Sequence, residues 1–402
     1  MSESVVRAGV PHVSEAEVTW SGTLHHGADE PAGVTYRFTT GEAPPAGAIR
    51  PFLLTFLPVA MWLGDPLVVE GEVDAGEVDA LLEWQEAMAS CHPDVLRAVP
   101  IRVEGTRIAP QPGAAGARRR WGSPRATTSG HAGPADAPRP GAGAVTAFSG
   151  GVDSCFTAVR HRPGASADGD AVPHRRTTVG AGLMVAGMDI PIEDLATFDR
   201  AFARSTRILA SLDIEALQAR TDVRHLERRF PLDWETITHG IWLAAALACV
   251  EHRYDRTIIP STFTHAHPHH PWASTPALDP LLGSARAPLW HDGAAHDKLG
   301  KVGHLVGHPA IEADLRVCWK GEHLDRNCGH CFKCLTTQAC FWIHGVARPG
   351  AFDDPGSPEE LAGLQLARPY QQVVGRAVVD GALAADRPDI ARPLAAALEA
   401  AP

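Results

Sequence analysis

After residue 143 the chain alternates apolar runs of strand length with longer runs of helical period. The strand-like runs are AVTAF, TTVGAGLMVAG and RTIIPST, and helical patterns such as DLATFDRAFARSTRILASL lie between them. Strands that alternate with helices at this spacing predict an α/β fold, in which a parallel sheet is flanked by helices. Ligands of such sheets bind at the carboxyl ends of the strands. The loops that follow these runs are therefore the first candidates for a functional site.

A segment of biased composition, from Ala109 to Gly143, separates this region from the N-terminal part of the chain. It is rich in Ala, Gly, Pro and Ser and contains almost no large apolar residue. That composition predicts a flexible linker. Before it, residues 1–108 carry patterns of a small α+β domain without an evident chemical motif. After it we expect the α/β domain over 144–345 and C-terminal helices over 346–402.

Composition and charge limit the classes of function. Hydrophobic residues make up 45% and charged residues 21% of the chain, as in ordinary globular proteins. The formal net charge of -11 does not favour nucleic acid as a partner, although the patch Arg118-Arg119-Arg120 could contact phosphate. The N-terminus lacks a signal-peptide pattern, and the longest apolar runs fall short of the roughly 18–20 residues of a membrane span. We expect a cytoplasmic protein without a membrane partner.

A glycine-containing loop follows the run AVTAF and precedes a helical pattern. Glycine lets a backbone approach phosphate closely, and the N–H groups at a helix N-terminus bind anions. The serine hydroxyls add donors, and Asp153 can hold a magnesium ion that bridges phosphates. A plain strand-to-helix turn would not need both serines and the aspartate, and no G-K-[ST] follows, so the loop is interpreted as a phosphate site other than a Walker motif. The residues of this glycine loop are Ser149, Gly150, Gly151, Val152, Asp153 and Ser154.

The hexapeptide SGGVDS resembles the SGGxDS signature of the PP-loop ATP pyrophosphatase (N-type) superfamily. The resemblance implies a Rossmann-like fold and cleavage of ATP between the α and β phosphates. A substrate oxygen becomes adenylated, pyrophosphate leaves, and a nitrogen or sulfur nucleophile displaces AMP. It also implies that the glycine loop grips the pyrophosphate portion, and that the second strand, with Met184 and Val185, lines the adenine. ATP and Mg²⁺ are the expected cofactors.

Two lysines follow in the helical pattern HDGAAHDKLGKVGHL. In relatives a basic residue near this position reaches the ATP phosphates. The resemblance therefore implies Lys301, together with Asp153, as a catalytic residue. Solvated lysines on a helix surface, including Lys298, are the alternative.

Four of the eight cysteines are concentrated in RVCWKGEHLDRNCGHCFKC. Four thiolates at a C-x9-C-x2-C-x2-C spacing can close a tetrahedral zinc site, and an iron–sulfur cluster is the alternative. Together with the glycine loop, this pattern resembles the 7-cyano-7-deazaguanine synthase branch of the superfamily, whose zinc is structural. The resemblance covers Ala144 to His344, about half of the chain. The four members, called here the four-cysteine group, are Cys318, Cys328, Cys331 and Cys334.

A histidine-rich stretch, THAHPHHPW, follows the run RTIIPST. Its histidines could bind a metal, but a loop at the carboxyl edge of the sheet that meets solvent or substrate is the preferred interpretation. Such side chains could bind phosphate or move protons at neutral pH. The candidate substrate residues in this loop are Ser261, Thr262, His265 and His267.

One of the remaining cysteines bears on the choice between nitrogen transfer and sulfur transfer. Cys155, directly after the glycine loop, could carry sulfur if the helix N-terminus lowered the pKa of its thiol. A small core residue is the preferred interpretation, and the same holds for Cys91, Cys249 and Cys340.

The expected function is an ATP-dependent enzyme that adenylates a carbonyl or carboxylate oxygen and replaces AMP by nitrogen, forming an amide, amidine or nitrile. No glutamine amidotransferase domain is evident, so ammonia or a substrate amine would be the donor. A sulfurtransferase and a non-catalytic nucleotide-binding module are the alternatives. A small-molecule substrate with ATP is the expected partner, and we expect a homo-oligomer.

Overall fold

A computed structural model describes residues 3–15, 17–39, 44–45, 47–104, 143–166, 175–267, 272–319 and 321–401. The predicted linker lies outside the described residues, except for Gly143. In the described ranges the strands are β1 (Ser4–Ala8), β2 (His12–Val13), β3 (Val18–His26), β4 (Ala32–Phe38), β5 (Leu67–Glu70), β6 (Ile101–Val103), β7 (Ala144–Ala147), β8 (Val179–Ala186), β9 (Glu215–Thr221), β10 (Arg256–Pro260) and β11 (Leu289–Asp292). The α-helices are α1 (Arg50–Leu63), α2 (Ala75–Cys91), α3 (Val152–His161), α4 (Leu195–Ala210), α5 (Leu226–Arg229), α6 (His239–Ala248), α7 (Lys298–Leu305), α8 (Pro309–Asp314), α9 (Phe332–Ile343), α10 (Pro369–Ala384) and α11 (Pro388–Glu399).

The strands of the described residues belong to one sheet. Their order is β11-β10-β7-β8-β9-β4-β3-β1-β5-β6, and β2 pairs with β3 beside this path. From β11 to β9 neighbouring strands are parallel, so that Thr146 of β7 pairs with Ile258 on one side and Gly182 on the other. Beyond β9 the pairs β9–β4, β4–β3 and β3–β1 are antiparallel, with Arg37 opposite Arg220, and β1–β5 and β5–β6 are parallel again. The α/β expectation is thus confirmed as a large mixed sheet flanked by helices. Within residues 144–345 the strands β7 to β11 pair in parallel, as expected, and the N-terminal strands extend them into a mixed sheet.

The N-terminal segment shares its core with the later part of the chain. One cluster of buried side chains contains Phe52 and Trp84 together with Ile241 and Trp242. The indole Nε1 of Trp242 donates to the Thr55 carbonyl oxygen at 3.0 Å. The boundary predicted near residue 108 is therefore a boundary in sequence composition. The sheet and this core contain residues from both sides of it. The division into domains stays a prediction.

Helix α1 shows how the sequence produces this core. Pro51 occupies its first turn, where a missing N–H costs nothing, and Gly64 ends it with a φ of 75°. Its side chains are buried from Arg50 through Met61, as expected for a helix that is apolar on every face. None of the helices in the described part of the chain has the length and apolar character that crossing a membrane requires.

A second cluster of buried side chains lies around the parallel half of the sheet. It joins Phe156 of α3, Ile258 of β10 and Phe341 of α9 with residues of α10 and α11. The C-terminal helices thus pack on the same layer that holds α3. This packing fixes the carboxyl ends of β7, β8 and β10, where the predicted site residues lie.

Candidate functional site

The glycine loop connects β7 directly to α3. Gly151 is the N-cap of α3, and no side chain caps the helix. The N–H groups of a first helical turn have no intrahelical acceptor, so in this loop they remain for a ligand. Gly150 has a φ of 74°, and a Cβ at this position would lie 3.1 Å from Ser205 Oγ. The local geometry is therefore that of an anion site at a helix N-terminus.

This loop opens into a cavity of about 920 Å³. A volume of this size matches the roughly 300–1,000 Å³ of sites for small molecules. Three candidate residues do not line the cavity, namely Gly150, Ser261 and Lys301. Gly150 lies between Ser149 and Gly151, which do line it. The Lys301 ammonium contacts the lining residue Asp153 and the carbonyl oxygen of Ser261. The sequence-predicted residues that line it are Ser149, Gly151, Val152, Asp153, Ser154, Met184, Val185, Thr262 and Cys318.

Asp153 and Lys301 form an ion pair at the edge of this cavity. The Lys301 Nζ lies 2.7 Å from Asp153 Oδ1 and also donates to the Ser261 carbonyl oxygen. The Lys301 side chain is 1% exposed, whereas that of Asp153 is 35% exposed. The alternative of a solvated helix lysine is therefore wrong for Lys301. The buried Lys301 ammonium thereby orients the Asp153 carboxylate through Oδ1.

Lysine is rare in this chain, and three of its four lysines either line the cavity or contact a residue that lines it. The sequence has four lysines, of which Lys298 and Lys333 line the cavity. Lys301 reaches it through Asp153. The fourth, Lys320, lies outside the described residues. Lysine ammonium groups are compact point charges of the kind that bind phosphate.

Arg316 adds a buried guanidinium beside the glycine loop. Its Nε donates to the Ser149 carbonyl oxygen at 3.3 Å, and its Nη2 lies 3.8 Å from Asp189 Oδ2. Burial is the largest influence on Arg316, Lys298 and Lys333, and it lowers the pKa of each. Several desolvated cations around one cavity favour a bound polyanion, which offsets the cost of burying their charge.

Sequence reasoning missed Arg316 and Lys333, which the four-cysteine group positions. Arg316 precedes Cys318 by two residues, and Lys333 lies between Cys331 and Cys334. The rarity of lysine was the available signal, since all four lysines fall between residues 298 and 333. No local pattern, however, indicates that the cysteine segment packs against the glycine loop.

The four cysteine sulfur atoms are gathered at one point, all within 4.8 Å of one another. Cys318 and Cys331 are separated by 3.8 Å between their Sγ atoms, as are Cys328 and Cys334. Four sulfurs around one tetrahedral Zn²⁺, with bonds of about 2.3 Å, are about 3.8 Å apart, whereas a disulfide bond is about 2.05 Å long. The four-cysteine group could therefore hold a zinc ion.

The turn between these ligands depends on a glycine, as the C-G-H-C sequence suggests. Gly329 has a φ of 85°, and a Cβ there would lie 1.8 Å from the Asp354 carbonyl oxygen. A hydrogen bond with Cys318 raises the pKa of the Cys331 thiol to about 11. Thiols held this close need a cation nearby before they ionise.

The described histidines of the histidine-rich loop lie outside the cavity. His265 and His267 are exposed and do not line the cavity, whereas Thr262 does. His269 and His270 lie outside the described residues. Ser261 is fully buried and contributes its carbonyl to Lys301. The structure thus brings Ser261 and Thr262, but not the two predicted histidines, to the glycine loop.

The scattered cysteines are placed as core residues with one exception. Cys155, Cys249 and Cys340 are buried, whereas Cys91 is exposed at the end of α2. The core prediction is therefore wrong for Cys91, because the last turn of α2 faces solvent. Burial raises the pKa of the Cys155 thiol, and its side chain does not line the cavity.

The cavity extends beyond the glycine loop to a wall of aromatic side chains that sequence reasoning did not identify. Neighbouring rings of this wall are in contact, with centroids 5.4 Å apart for Phe263 and Trp272 and 6.0 Å apart for Phe332 and Tyr370. Tyr370 belongs to α10, so the C-terminal helices contribute to the site. The aromatic wall consists of Trp234, Phe263, Trp272, Phe332 and Tyr370.

Comparison with protein-family models, curated proteins and solved structures gives no match to this chain. The resemblance to the PP-loop superfamily therefore depends on the SGGVDS loop and the cysteine spacing.

Proposed function

We propose that this chain is a PP-loop ATP pyrophosphatase that adenylates a carbonyl or carboxylate oxygen of a small molecule and transfers nitrogen to the activated carbon. One observation carries this proposal. The SGGVDS loop, at the uncapped N-terminus of α3, faces a cavity that is also lined by Lys298, Lys333 and Arg316. A cavity that joins a phosphate loop to a buried guanidinium and two half-buried ammonium groups suits a nucleoside triphosphate.

The residues around the cavity suggest where each part of ATP would bind. The triphosphate would contact the glycine loop, with Arg316 and Lys333 neutralising its charge. Adenine would lie against Met184 and Val185, which line the cavity beside β8. Asp153 would hold Mg²⁺ through Oδ2, since Oδ1 accepts from Lys301. Mg²⁺ would neutralise charge that develops on the leaving pyrophosphate.

We further propose that the four-cysteine group holds one zinc ion with a structural role. The mutual separation of the sulfur atoms, within 4.8 Å, is close to the spacing around a single tetrahedral ion, about 3.8 Å. An ion at this position would fix the backbone that carries Arg316 and Lys333. In this way the metal would support nucleotide binding without contacting the reacting atoms.

Nitrogen transfer is favoured over sulfur transfer by the positions of the cysteines. Among the described cysteines Cys318 is the one that lines the cavity, and it belongs to the four-cysteine group. Cys155 is buried in the core with a raised pKa, which disfavours the reactive thiolate. Replacing Cys155 by Ala should therefore leave turnover unchanged, and a large loss of activity would support the sulfur alternative at that residue.

The test of the proposed function is the identity of the products. The protein is incubated with MgATP, ammonium and a panel of carboxylates, amides and deazapurines, and the nucleotides are separated by chromatography. We expect AMP and pyrophosphate in equal amounts with at least one acceptor. Formation of ADP and phosphate would contradict the proposal, and ATP binding without any product would favour the non-catalytic alternative.

A further inference from the structure

His239 lies at the cavity directly after an irregular helical turn. Residues Trp234–Thr238 form one turn of π-helix that continues into α6. Such turns are rare and frequently occur at functional sites. Here the turn places the carbonyl oxygens of Trp234 and Glu235 at 3.2 and 3.1 Å from His239 Nδ1.

These contacts define which ring nitrogen carries the proton. A carbonyl oxygen can only accept, so His239 Nδ1 must donate, and the lone pair of the neutral ring lies on Nε2. None of the described residues forms a hydrogen bond with Nε2, and His239 lines the cavity. Its ring contacts Trp234 and Trp272, with centroids 5.8 and 5.2 Å away. The structure therefore presents a fixed proton acceptor among aromatic side chains.

We propose that Nε2 of His239 is the general base that takes a proton from the nitrogen nucleophile. This inference depends on the proposed function, because the reaction it assists is attack on an adenylated carbon. Ammonia or an amine must lose a proton as its nitrogen becomes bonded to carbon. The Asp153 carboxylate of the glycine loop is engaged by Lys301 and is assigned to Mg²⁺, whereas His239 lines the same cavity and Nε2 of its ring can accept a proton.

The proposed step is balanced in atoms and charge. The nitrogen lone pair forms a C–N bond with the adenylated carbon, and Nε2 accepts one proton from that nitrogen. The bond from carbon to the AMP oxygen then breaks, and AMP leaves with the electron pair. The proton passes from the imidazolium to solvent after product release.

The surroundings keep the free ring neutral and stabilise it once protonated. Burial is the largest influence and lowers the pKa of His239, while the carboxylates of Asp279 and Asp189 act in the opposite direction. A base with a pKa near or below the working pH is unprotonated before reaction. The same two carboxylates would favour the imidazolium that forms during it.

The first experiment determines the tautomer and needs no substrate. Two-dimensional NMR of ¹⁵N-histidine-labelled protein, with His239→Asn to assign the signal, should show a neutral ring protonated on Nδ1 at about pH 7.5. Asn keeps a donor N–H at the Nδ1 position, so the bonds to the Trp234 and Glu235 carbonyls can persist. A ring protonated on Nε2, or an imidazolium at that pH, would overturn the proposal.

The second experiment separates the base from a structural role. With the acceptor found by AMP release, His239→Asn and His239→Gln should lower kcat/KM for ammonium at least about 100-fold, the usual range for loss of a general base. The exchange of labelled pyrophosphate into ATP, which reports adenylation, should stay within about 3-fold of the wild type. His12→Asn, at an exposed position of β2 outside the cavity, is the matched control and should change neither rate.

The outcomes are distinguishable. If exchange and ammonium-dependent turnover fall together, His239 supports the fold or ATP binding, and the proposal is overturned. If the variants turn over ammonium as fast as the wild type, it is also overturned. If the wild type itself forms no AMP with any acceptor, the proposed function fails, and the role of His239 fails with it whatever its tautomer.

Discussion

Lys333 is the residue through which the charge of the cavity can be tested most directly. It lines the cavity between two cysteines of the four-cysteine group, and its pKa is lowered chiefly by burial. Replacing it by Met keeps the apolar stem and removes the charge. We expect Kd for MgATP, measured by isothermal titration calorimetry, to rise at least about 10-fold, equivalent to about 1.4 kcal/mol. Arg7→Met removes an exposed charge paired with Glu70 and should leave Kd unchanged. An unaltered Kd in the Lys333 variant would remove this lysine from the site.

At the scale of single residues, the sequence predicted those site residues that lie close to one another in the chain. The glycine loop and the four cysteines are encoded in short segments, so the sequence predicted both, and the structure places Cys318 and the loop on one cavity. His239 and Trp272 lie far apart from the loop in sequence and carry no motif. Their placement depends on how α6 and the loop after β10 pack, and hydrophobic periodicity does not specify that arrangement.

The loop between β7 and α3 makes a prediction about backbone conformation. Gly150 has a φ of 74°, which an L-residue adopts at a cost of about 1 kcal/mol. Gly150→Ala should lower the melting temperature slightly and weaken MgATP binding several-fold, because the first-turn N–H groups lose their alignment. Gly164→Ala is the control, since Gly164 has a φ of 69° and no atom within 4 Å of an added Cβ. Equal Kd values for the two variants would contradict a phosphate role for the loop.

The segment that carries the four cysteines makes a prediction about metal removal. Cys331→Ser, or treatment with a strong chelator, should release one equivalent of zinc and lower the melting temperature by several degrees, because metal binding contributes to folding free energy. MgATP affinity should fall with it, since Arg316 and Lys333 flank the ligands. Cys91→Ser, at an exposed cysteine outside the group, is the matched control. Elemental analysis that finds iron, or a chelator that leaves the thermal transition unchanged, would contradict a structural zinc ion.

At the scale of elements, hydrophobic periodicity predicted where strands and helices occur, but not which strands pair with each other. The run TTVGAGLMVAG contains β8, and the helical pattern that follows contains α4. The pairing of β4 with β9 joins Arg37 to Arg220, and nothing near either residue indicates it. Cross-strand pairs far apart in sequence are selected by tertiary packing. This is why the sequence suggested two separate units where the sheet is continuous.

In the whole molecule, a buried cluster of charges ties the N-terminal segment to the later part of the chain. Arg50 of α1 donates to Glu77 of α2 and, through Nη1 at 2.7 Å, to Glu251, which follows α6. It also donates to the Leu282 carbonyl oxygen. Two carboxylates thus share one guanidinium away from water. Removing Arg50 would take from both carboxylates the cation that they share. The cluster therefore links α1 and α2 of the N-terminal segment to the residue that follows α6.

This cluster predicts how stability depends on pH. Burial raises the pKa of Glu251 to about 7 from an ordinary value of 4.5, so between these values the folded state binds more protons than the unfolded state. The free energy of unfolding should therefore fall as pH rises through this window. Between about pH 5.5 and 8 the contribution of Glu251 is about 1–2 kcal/mol. Glu251→Gln keeps an acceptor for Arg50 and removes the titration, so its stability should depend less steeply on pH.

The measurement is chemical denaturation of both proteins across that pH range, followed by circular dichroism. The difference between the two curves isolates Glu251, because the other titratable groups, including the histidines, are common to both. Relative to the wild type, Glu251→Gln should gain stability toward about pH 8 and lose that advantage toward about pH 5.5. Glu77, whose pKa burial also raises, should leave a smaller slope of the same sign in the variant. Parallel curves would show that Glu251 is ionised in the folded protein throughout, and that the shared guanidinium outweighs the cost of burying its charge.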